Sequence, residues 1–133
     1  MIYVDTSALL KEVLAEPGSA ELHHYLEQRP REGLVSSILL TVEIRRAVQR
    51  GHPRSLPRVD LLLARVSQVE LSAAVVETAS RFPDPGLRSL DAIHVATALL
   101  VREELTAVVS YAKRMVAVAQ SEGLPVVSPG GLS

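Results

Sequence analysis

The 133-residue sequence contains no cysteine and no tryptophan, and aromatic residues make up only 3% of it. Without cysteine, a disulfide framework, a thiolate nucleophile and a cysteine-ligated zinc site are excluded. Scarce aromatic side chains argue against recognition of nucleic acid by stacking of several bases. No apolar run approaches the roughly 18 residues that span a bilayer, and no signal peptide is visible. We therefore expect a cytoplasmic protein without a membrane partner.

An excess of charge of either sign is also lacking. The chain has 14 Lys and Arg residues against 15 Asp and Glu residues, for a net charge of −1. This balance excludes a strongly basic coat for nucleic acid, so any contact with a polyanion must be local. Apolar residues are abundant instead, at 47% of the sequence. That content, at this length, predicts a single domain over residues 1–133 with a well-buried core.

Short apolar runs alternate with helical segments along the chain. Runs typical of strands lie at residues 2–5, 33–37, 106–110 and 124–128, and residues 66–72 are compatible with a further short strand. Single helices or helix pairs connect these runs, which predicts an α/β fold whose parallel sheet is covered on both faces. Sites in such sheets form at the carboxyl ends of the strands, so Asp5 and residues 110–112 are the first candidates.

Two carboxylates stand where a charge needs a partner. Asp5 directly follows the first strand, where it could hold a cation or simply cap the next helix. Glu43 lies at the edge of an apolar stripe on the helix that begins after Ser37, so its carboxylate should be desolvated. An ion pair with Arg46 or Arg50 is the structural alternative to a functional role for Glu43.

A third carboxylate, Asp91, lies in the first turn of a helix if Ser89 is the cap of that helix. The helix dipole favours an acid in the first turn, so a purely structural role is an alternative here as well. The residues one turn away from Asp91 are apolar, which indicates that this side chain faces inward. We expect His94, three residues further on, to pair with Asp91, and we leave this histidine out of the candidate site.

The three carboxylates together indicate a functional site, because an α/β fold could bring their segments to one edge of the sheet. Clustered carboxylates repel one another unless a divalent cation neutralises them. Oxygen ligands without cysteine or a histidine cluster favour Mg²⁺ or Mn²⁺ over zinc. Such a site suits hydrolysis of a phosphodiester bond.

Three acidic segments also carry a family resemblance: IYVDTSAL at residues 2–9, TVEIRRA at 41–47 and LDAIHVATA at 90–98. They closely resemble the acidic motifs of PIN-domain ribonucleases, and in particular of the VapC toxins of bacterial and archaeal toxin–antitoxin pairs. LPVVSPG at residues 124–130 is similar to the closing strand of that family. The resemblance covers essentially the whole chain, and three motifs in register are far more specific than one.

The resemblance implies a three-layer α/β/α fold with a five-stranded parallel sheet in the order 3-2-1-4-5. It also implies an endoribonuclease that depends on Mg²⁺ or Mn²⁺, forms a homodimer and is blocked by a VapB-like antitoxin. Carried over by position, Asp5, Glu43 and Asp91 would be catalytic, with Asp5 and Asp91 as the more direct metal ligands. Glu43 would help to position the metal or the attacking water. The polar neighbours that could orient these acids are Thr6, Ser7 and Ser110.

Position 112 departs from the family pattern, which usually has a fourth acid, typically Asp, where this chain has Ala112. We predict that Ala112 costs no stability, because alanine is the best helix former and this position begins a helix. A natural member with weakened activity and an engineered substitution would both explain the alanine. The intact state of the other motifs favours the second explanation.

Arginines cluster at the end of the helix that carries Glu43. Arg45, Arg46 and Arg50 could line the approach to the acidic pocket and hold RNA phosphates. A solvated helix face or a contact with an acidic antitoxin segment is the alternative.

Two other functions stay open. A non-catalytic PIN-like module that binds antitoxin or RNA is one, and Ala112 is the residue that favours it. A phosphoacceptor receiver domain is the other, since it too has acids at strand ends. A receiver needs an acid pair near the first strand and a lone Asp at the end of the third, and the sequence has neither.

Overall fold

All five predicted strands form one sheet in the computed structural model, which describes residues 1–132. They are β1 (Ile2–Val4), β2 (Leu34–Ser37), β3 (Val66–Val69), β4 (Ala107–Val109) and β5 (Val126–Val127). Neighbouring strands are parallel throughout, and their order is β3-β2-β1-β4-β5. The predicted α/β class and strand order are confirmed.

Helices connect the strands on both sides of the sheet. They are α1 (Thr6–Val13), α2 (Ser19–Glu27), α3 (Leu39–Gly51), α4 (Leu56–Leu63), α5 (Ala73–Ser80), α6 (Ser89–Leu100) and α7 (Lys113–Ser121). Two single 3₁₀ turns, Pro53–Ser55 and Arg102–Glu104, precede α4 and β4. Within residues 1–132, every helix is too short or too polar to cross a bilayer.

The alternation of side chains along the strands produces two cores. Ile2 and Val4 of β1 point to one face of the sheet, where they pack with apolar residues of α1, α2, α3 and α4. Tyr3 points to the opposite face and packs with residues of α6 and α7. Helix α5 packs against α6. The predicted three-layer α/β/α architecture is therefore confirmed.

The strand order places a topological switch point between β1 and β4. From β1 in the centre, the chain moves outward through β2 and β3, and then returns to the other side of β1 to form β4. The chain leaves β1 and β4 in different directions there, which opens a crevice at their carboxyl ends. Asp5 follows β1 directly and Ser110 follows β4 directly, so both residues lie at this crevice.

Two helix starts bear on the candidate site. Asp5 is the N-cap residue of α1, and its Oδ1 accepts a hydrogen bond from the Ala8 amide at 2.9 Å. Ser89 does not cap α6, contrary to the prediction: it is already helical, and Arg88 occupies the N-cap position without a side-chain hydrogen bond. Asp91 nevertheless lies in the first turn of α6, as expected.

Candidate active site

Asp5 is buried at the switch point, with 2% of its surface exposed, and hydroxyl and amide donors surround its carboxylate. Oδ1 accepts hydrogen bonds from the Ser7 hydroxyl at 2.7 Å and from the Ala8 amide. Oδ2 accepts one from the Ser110 hydroxyl at 2.6 Å. A carboxylate offers about four lone-pair positions, so Asp5 retains an open position on Oδ2. The helix-capping alternative is therefore real, yet it leaves Asp5 able to bind a cation.

The loop after β4 is tied to the start of α1 by the same serines. The Ser7 hydroxyl accepts a hydrogen bond from the Tyr111 amide at 2.9 Å, and the Ser110 hydroxyl accepts one from the Ala112 amide at 3.2 Å. Each serine thus donates to Asp5 and accepts from the β4–α7 loop. Among residues 1–132, the buried Oγ1 of neighbouring Thr6 has no hydrogen-bond partner. Of the predicted supporting residues, Ser7 and Ser110 contact Asp5, and Thr6 has an unused polar atom.

Glu43 forms its ion pair with a residue that the sequence did not suggest. Its Oε1 lies 2.7 Å from Nε2 of His94, and the His94 side chain is 1% exposed. The other ring nitrogen of His94, Nδ1, lies 2.7 Å from the Tyr3 hydroxyl. Arg46 and Arg50 are exposed on α3, and neither is the partner of Glu43. The expected Asp91–His94 pair does not form either, because both nitrogens of His94 are engaged elsewhere.

Asp91 is half-buried and lies within the electrostatic reach of the other two acids. Burial raises the pKa of its carboxyl group, and the negative charges of Asp5 and Glu43 raise it further. His94 and Arg88 act in the opposite direction but do not cancel the effect. Asp91 has no hydrogen-bond donor among the described residues that would stabilise its charged form. The three predicted acids therefore share one field of negative charge.

A divalent cation fits this arrangement in charge and in ligand type, although the side chains do not yet enclose one. No group of at least three His, Cys, Asp or Glu side chains within residues 1–132 has the geometry of a metal site. Asp5 and Asp91 supply oxygen atoms, the ligands that Mg²⁺ and Mn²⁺ prefer. A cation between them would also remove the repulsion that raises the pKa of Asp91.

Ala112 occupies the N-cap position of α7, with φ −81° and ψ 108° and no side-chain hydrogen bond. The prediction that alanine costs no stability here assumed a helical position, and that premise is wrong. At an N-cap the backbone is not helical, so helix propensity does not apply. Instead, a side-chain oxygen is strongly favoured at an N-cap, because it accepts a hydrogen bond from a free amide of the first turn. An aspartate at position 112 would supply both a cap and a further carboxylate next to Ser110.

The predicted arginine cluster divides into paired and unpaired members. Arg45 donates two hydrogen bonds to Oδ1 of Asp60, at 3.1 and 3.0 Å, and so links α3 to α4. In the part of the chain that the structure describes, Arg46 and Arg50 form no salt bridge and are exposed. Arg46 and Arg50 are therefore free to bind an external anion, whereas Arg45 would have to give up Asp60.

Tyr3 and His94 are the site residues that sequence reasoning missed. His94 lies on the buried face of α6, next to the buried residues Ala92 and Val95. A buried ring nitrogen needs a hydrogen-bond partner. Tyr3 places a hydroxyl in the middle of a buried strand, which raises the same requirement. The Tyr3 hydroxyl and the His94 ring are both polar groups at buried positions without partners nearby in the sequence, and this signal could have indicated that they contact each other.

Comparison with known proteins identifies the family. The profile of the PIN domain matches residues 2–121 of the chain. This chain belongs to the PIN-domain family. It is 42% identical over 132 residues to Ribonuclease VapC35 of Mycobacterium tuberculosis, with 98% of each chain covered. It is 38% identical over 135 residues to Ribonuclease VapC47 of the same species, with 99% of each chain covered.

Solved structures share the fold of this PIN domain. The crystal structure of VapC20 from Mycobacterium tuberculosis, a sarcin–ricin loop cleaving toxin, matches with a TM-score of 0.74 and 15% identity, covering 97% of this chain and 100% of that one. A toxin–antitoxin complex from Klebsiella pneumoniae matches with a TM-score of 0.69 and 20% identity, covering 100% of both chains. At these identities the likeness establishes the fold alone.

Proposed function

We propose that this PIN domain is a metal-dependent endoribonuclease toxin of a VapBC-type toxin–antitoxin pair. The observation that carries the proposal is the 42% identity to Ribonuclease VapC35 over 98% of both chains. The geometry supports it, because Asp5, Glu43 and Asp91 lie in one field of negative charge at the switch point of the sheet. An enzyme of this kind meets RNA in the cytoplasm, and we propose that it acts there.

Asp5 and Asp91 are the residues that would hold Mg²⁺ or Mn²⁺. Ser7 and Ser110 fix the Asp5 carboxylate by hydrogen bonds of 2.7 and 2.6 Å, so its open position on Oδ2 points in one direction. Asp91 supplies the second carboxylate from α6. When bound, a divalent cation neutralises charge on the phosphodiester and makes water more acidic.

Glu43 is suited to orient the attacking water. Its Oε1 is occupied by His94, and its side chain is 18% exposed, so Oε2 remains able to accept a hydrogen bond. The exposed guanidinium groups of Arg46 and Arg50 would bind RNA phosphates, which the acidic crevice alone would repel. These arginines would thus counter the repulsion between the site and its substrate.

Cleavage of RNA tests the proposal directly. The probes are an RNA hairpin of the sarcin–ricin loop and a pool of single-stranded RNA of random sequence, each with Mg²⁺, Mn²⁺ or EDTA. We expect cleavage that depends on the cation and is lost in Asp5→Asn and in Asp91→Asn. Asp84→Asn is the matched control, because Asp84 pairs with Arg114 and is not among the charges that shift the pKa of Asp91. Cleavage that survives in EDTA, or in both site variants, would contradict the proposal.

A catalytically weak module that binds antitoxin or RNA is the second candidate function, and Ala112 is the observation that favours it. The chain lacks a carboxylate at this position next to Ser110. RNA binding measured by fluorescence anisotropy, without cleavage under either cation, would favour this second function over the first. Cleavage by the unaltered chain as fast as that by Ala112→Asp would eliminate it.

An antitoxin of the VapB type is the partner that we propose. Structures with the same fold include VapBC2 from Rickettsia felis bound to a DNA fragment from the promoter, with a TM-score of 0.72. Co-expression with the product of a short neighbouring gene should yield a stable complex in which RNA cleavage is suppressed. Separate elution of the two proteins on size exclusion would contradict the pairing.

Homodimer formation is proposed from an exposed apolar patch. Ile38, the N-cap residue of α3, and Val42 in its first turn are 45% and 59% exposed. The Ile38 amide donates to the Val69 carbonyl, which brings Leu71, 44% exposed, to the same region. Light scattering should give twice the monomer mass, and Val42→Glu should halve it. Leu61→Glu, on the exposed face of α4, is the control that should leave the mass unchanged.

A further inference from the structure

Three side chains form a continuous hydrogen-bonded chain from the core to the candidate active site. Tyr3 lies in the central strand and is fully buried. Its hydroxyl lies 2.7 Å from Nδ1 of His94, and Nε2 of His94 lies 2.7 Å from Oε1 of Glu43. The rings of Tyr3 and His94 also pack edge to face, with centroids 5.8 Å apart and planes at 81°. β1, α6 and α3 are therefore connected through one histidine.

The carboxylate of Glu43 determines the direction of its hydrogen bond with His94. An ionised Glu43 carboxylate can only accept, so Nε2 of His94 must carry the proton and donate it to Oε1. The Tyr3 hydroxyl can both donate and accept a hydrogen bond, so it is a suitable partner for Nδ1 of His94. With Nε2 facing Glu43 and Nδ1 facing Tyr3, the imidazole ring is held in one orientation.

We propose that Tyr3 and His94 are positioning residues for Glu43, and that the Tyr3 hydroxyl fixes the His94 ring in the orientation that holds the Glu43 carboxylate in place. The inference rests on the proposed ribonuclease function, because its purpose is to hold Glu43 Oε2 towards the attacking water. Neither Tyr3 nor His94 contacts substrate: both are buried, and only Glu43 reaches the crevice. Tyr3 therefore acts on the reaction through two intervening hydrogen bonds.

An ion pair between Glu43 and a neighbouring arginine on α3 would not hold the carboxylate in one position. Glu43 lies next to exposed arginines on α3, and a flexible Arg46 pair would leave the carboxylate free to move with solvent. The imidazole ring of His94 on α6 is instead buried, and the contact with Tyr3 fixes its orientation. Partners that orient catalytic groups in this way commonly contribute about 10- to 100-fold to activity in metal enzymes.

Kinetics of RNA cleavage give the first test, with the random single-stranded RNA pool as the probe. Tyr3→Phe removes only the hydroxyl and should lower the apparent kcat about tenfold or more with little change in KM. His94→Gln retains a side-chain donor and should lose less activity than His94→Leu. Tyr25→Phe is the control, since the Tyr25 hydroxyl has no hydrogen bond among the described residues and lies on α2, a helix that carries none of the candidate site residues.

The kinetic outcomes separate this inference from the proposed function. No cation-dependent cleavage by the unaltered chain overturns the function on which the inference rests. Cleavage by the unaltered chain, with an equal kcat for Tyr3→Phe, leaves the function intact and overturns the positioning role. An equal loss in His94→Gln and His94→Leu overturns it as well, because a donor to Glu43 would then make no difference.

NMR of the ¹⁵N-labelled imidazole rings gives a second test that requires no activity. The chain has four histidines, and His94→Gln identifies the signals of His94 by their disappearance. We expect a single set of His94 signals with a proton on Nε2, and we expect Tyr3→Phe to shift or broaden these signals because the ring loses its partner at Nδ1. An unprotonated Nε2 in the unaltered protein, or His94 signals that Tyr3→Phe leaves unchanged, would overturn the inference.

Discussion

Asp5 and Asp91 belong to one candidate site, yet their surroundings are opposite. Asp5 is almost fully buried, and its two oxygens accept hydrogen bonds from Ser7, Ala8 and Ser110. Asp91 is half-buried without a donor among the described residues, and its pKa is raised by burial and by the charges of Asp5 and Glu43. The fold itself thus stabilises the charged carboxylate of Asp5. The charged form of Asp91 would be stabilised only by a bound cation.

The difference suggests a division between folding and function within one cluster. Donors around Asp5 stabilise the folded chain whether or not a cation is bound, because the carboxylate caps α1 and ties it to the β4–α7 loop. Asp91 contributes little to folding and serves mainly to bind. Substitutions at the site should separate these two roles.

Loss of the Asp5 carboxylate should have the largest effect on stability. Asp5→Ala removes the cap of α1 and leaves buried hydroxyl and amide donors unpaired, so the free energy of unfolding should fall by about 2–4 kcal/mol. Asp91→Ala should change it by about 0.5 kcal/mol or less, because relief of repulsion offsets the lost helix-dipole contact. Urea denaturation at pH 7 in EDTA measures both. Equal losses in the two variants would contradict the division.

Divalent cations should stabilise the protein through both carboxylates. Binding to the folded state alone contributes about 2.7 kcal/mol at a cation concentration 100 times Kd. We expect weak binding, since Ala112 leaves the site with one carboxylate fewer than the family pattern. Asp5→Asn and Asp91→Asn should each abolish the cation-dependent gain in Tm, and Asp84→Asn should retain it. Thermal denaturation in Mn²⁺, Mg²⁺ and EDTA provides the comparison.

Substitutions of Ala112 can separate the effect of an N-cap on α7 from the effect of an added carboxylate charge at the site. Ala112→Asn should cap α7 and raise the free energy of unfolding by about 1 kcal/mol without adding charge. Ala112→Asp should gain less than Ala112→Asn in EDTA, since its charge adds to the acidic field, but should bind Mn²⁺ about 10- to 100-fold more tightly. Calorimetry and RNA cleavage compare the variants. Equal cation affinity in the asparagine and aspartate variants would place position 112 outside the site.

Sequence reasoning reached Asp5 and Ser110 because their signals are local. Each directly follows a short apolar strand, and the order of the strands brings the two strand ends together. The strands themselves were predictable for the same reason, since a short apolar run is a property of neighbouring residues.

Contacts between distant segments were beyond the sequence. Glu43 and His94 are 51 residues apart, and their pairing depends on how α3 and α6 approach the sheet from different faces. Nearby Arg46 and Asp91 offered simpler local partners, so the sequence favoured the wrong pairs. The role of Ala112 changed for a smaller reason: a helix boundary that differs by one residue turns a helical position into a cap.

The pH dependence of stability should give the smallest effect and is specific to Asp91. Its raised pKa means that the folded chain keeps a proton on Asp91 at pH values where the unfolded chain, with a pKa near the ordinary value of about 3.9, has lost it. The folded state then binds more protons, so stability falls as pH rises from the unfolded pKa through the folded pKa, and is level above it. The free energy of unfolding relative to Asp91→Asn should therefore decline with pH in EDTA. Urea denaturation of both proteins across that range measures the difference. Saturating Mg²⁺ should reverse the slope, because a cation favours the ionised carboxylate. If instead the free energy of unfolding relative to Asp91→Asn rises with pH in EDTA, the fold must stabilise the charged form of Asp91, as it does for Asp5.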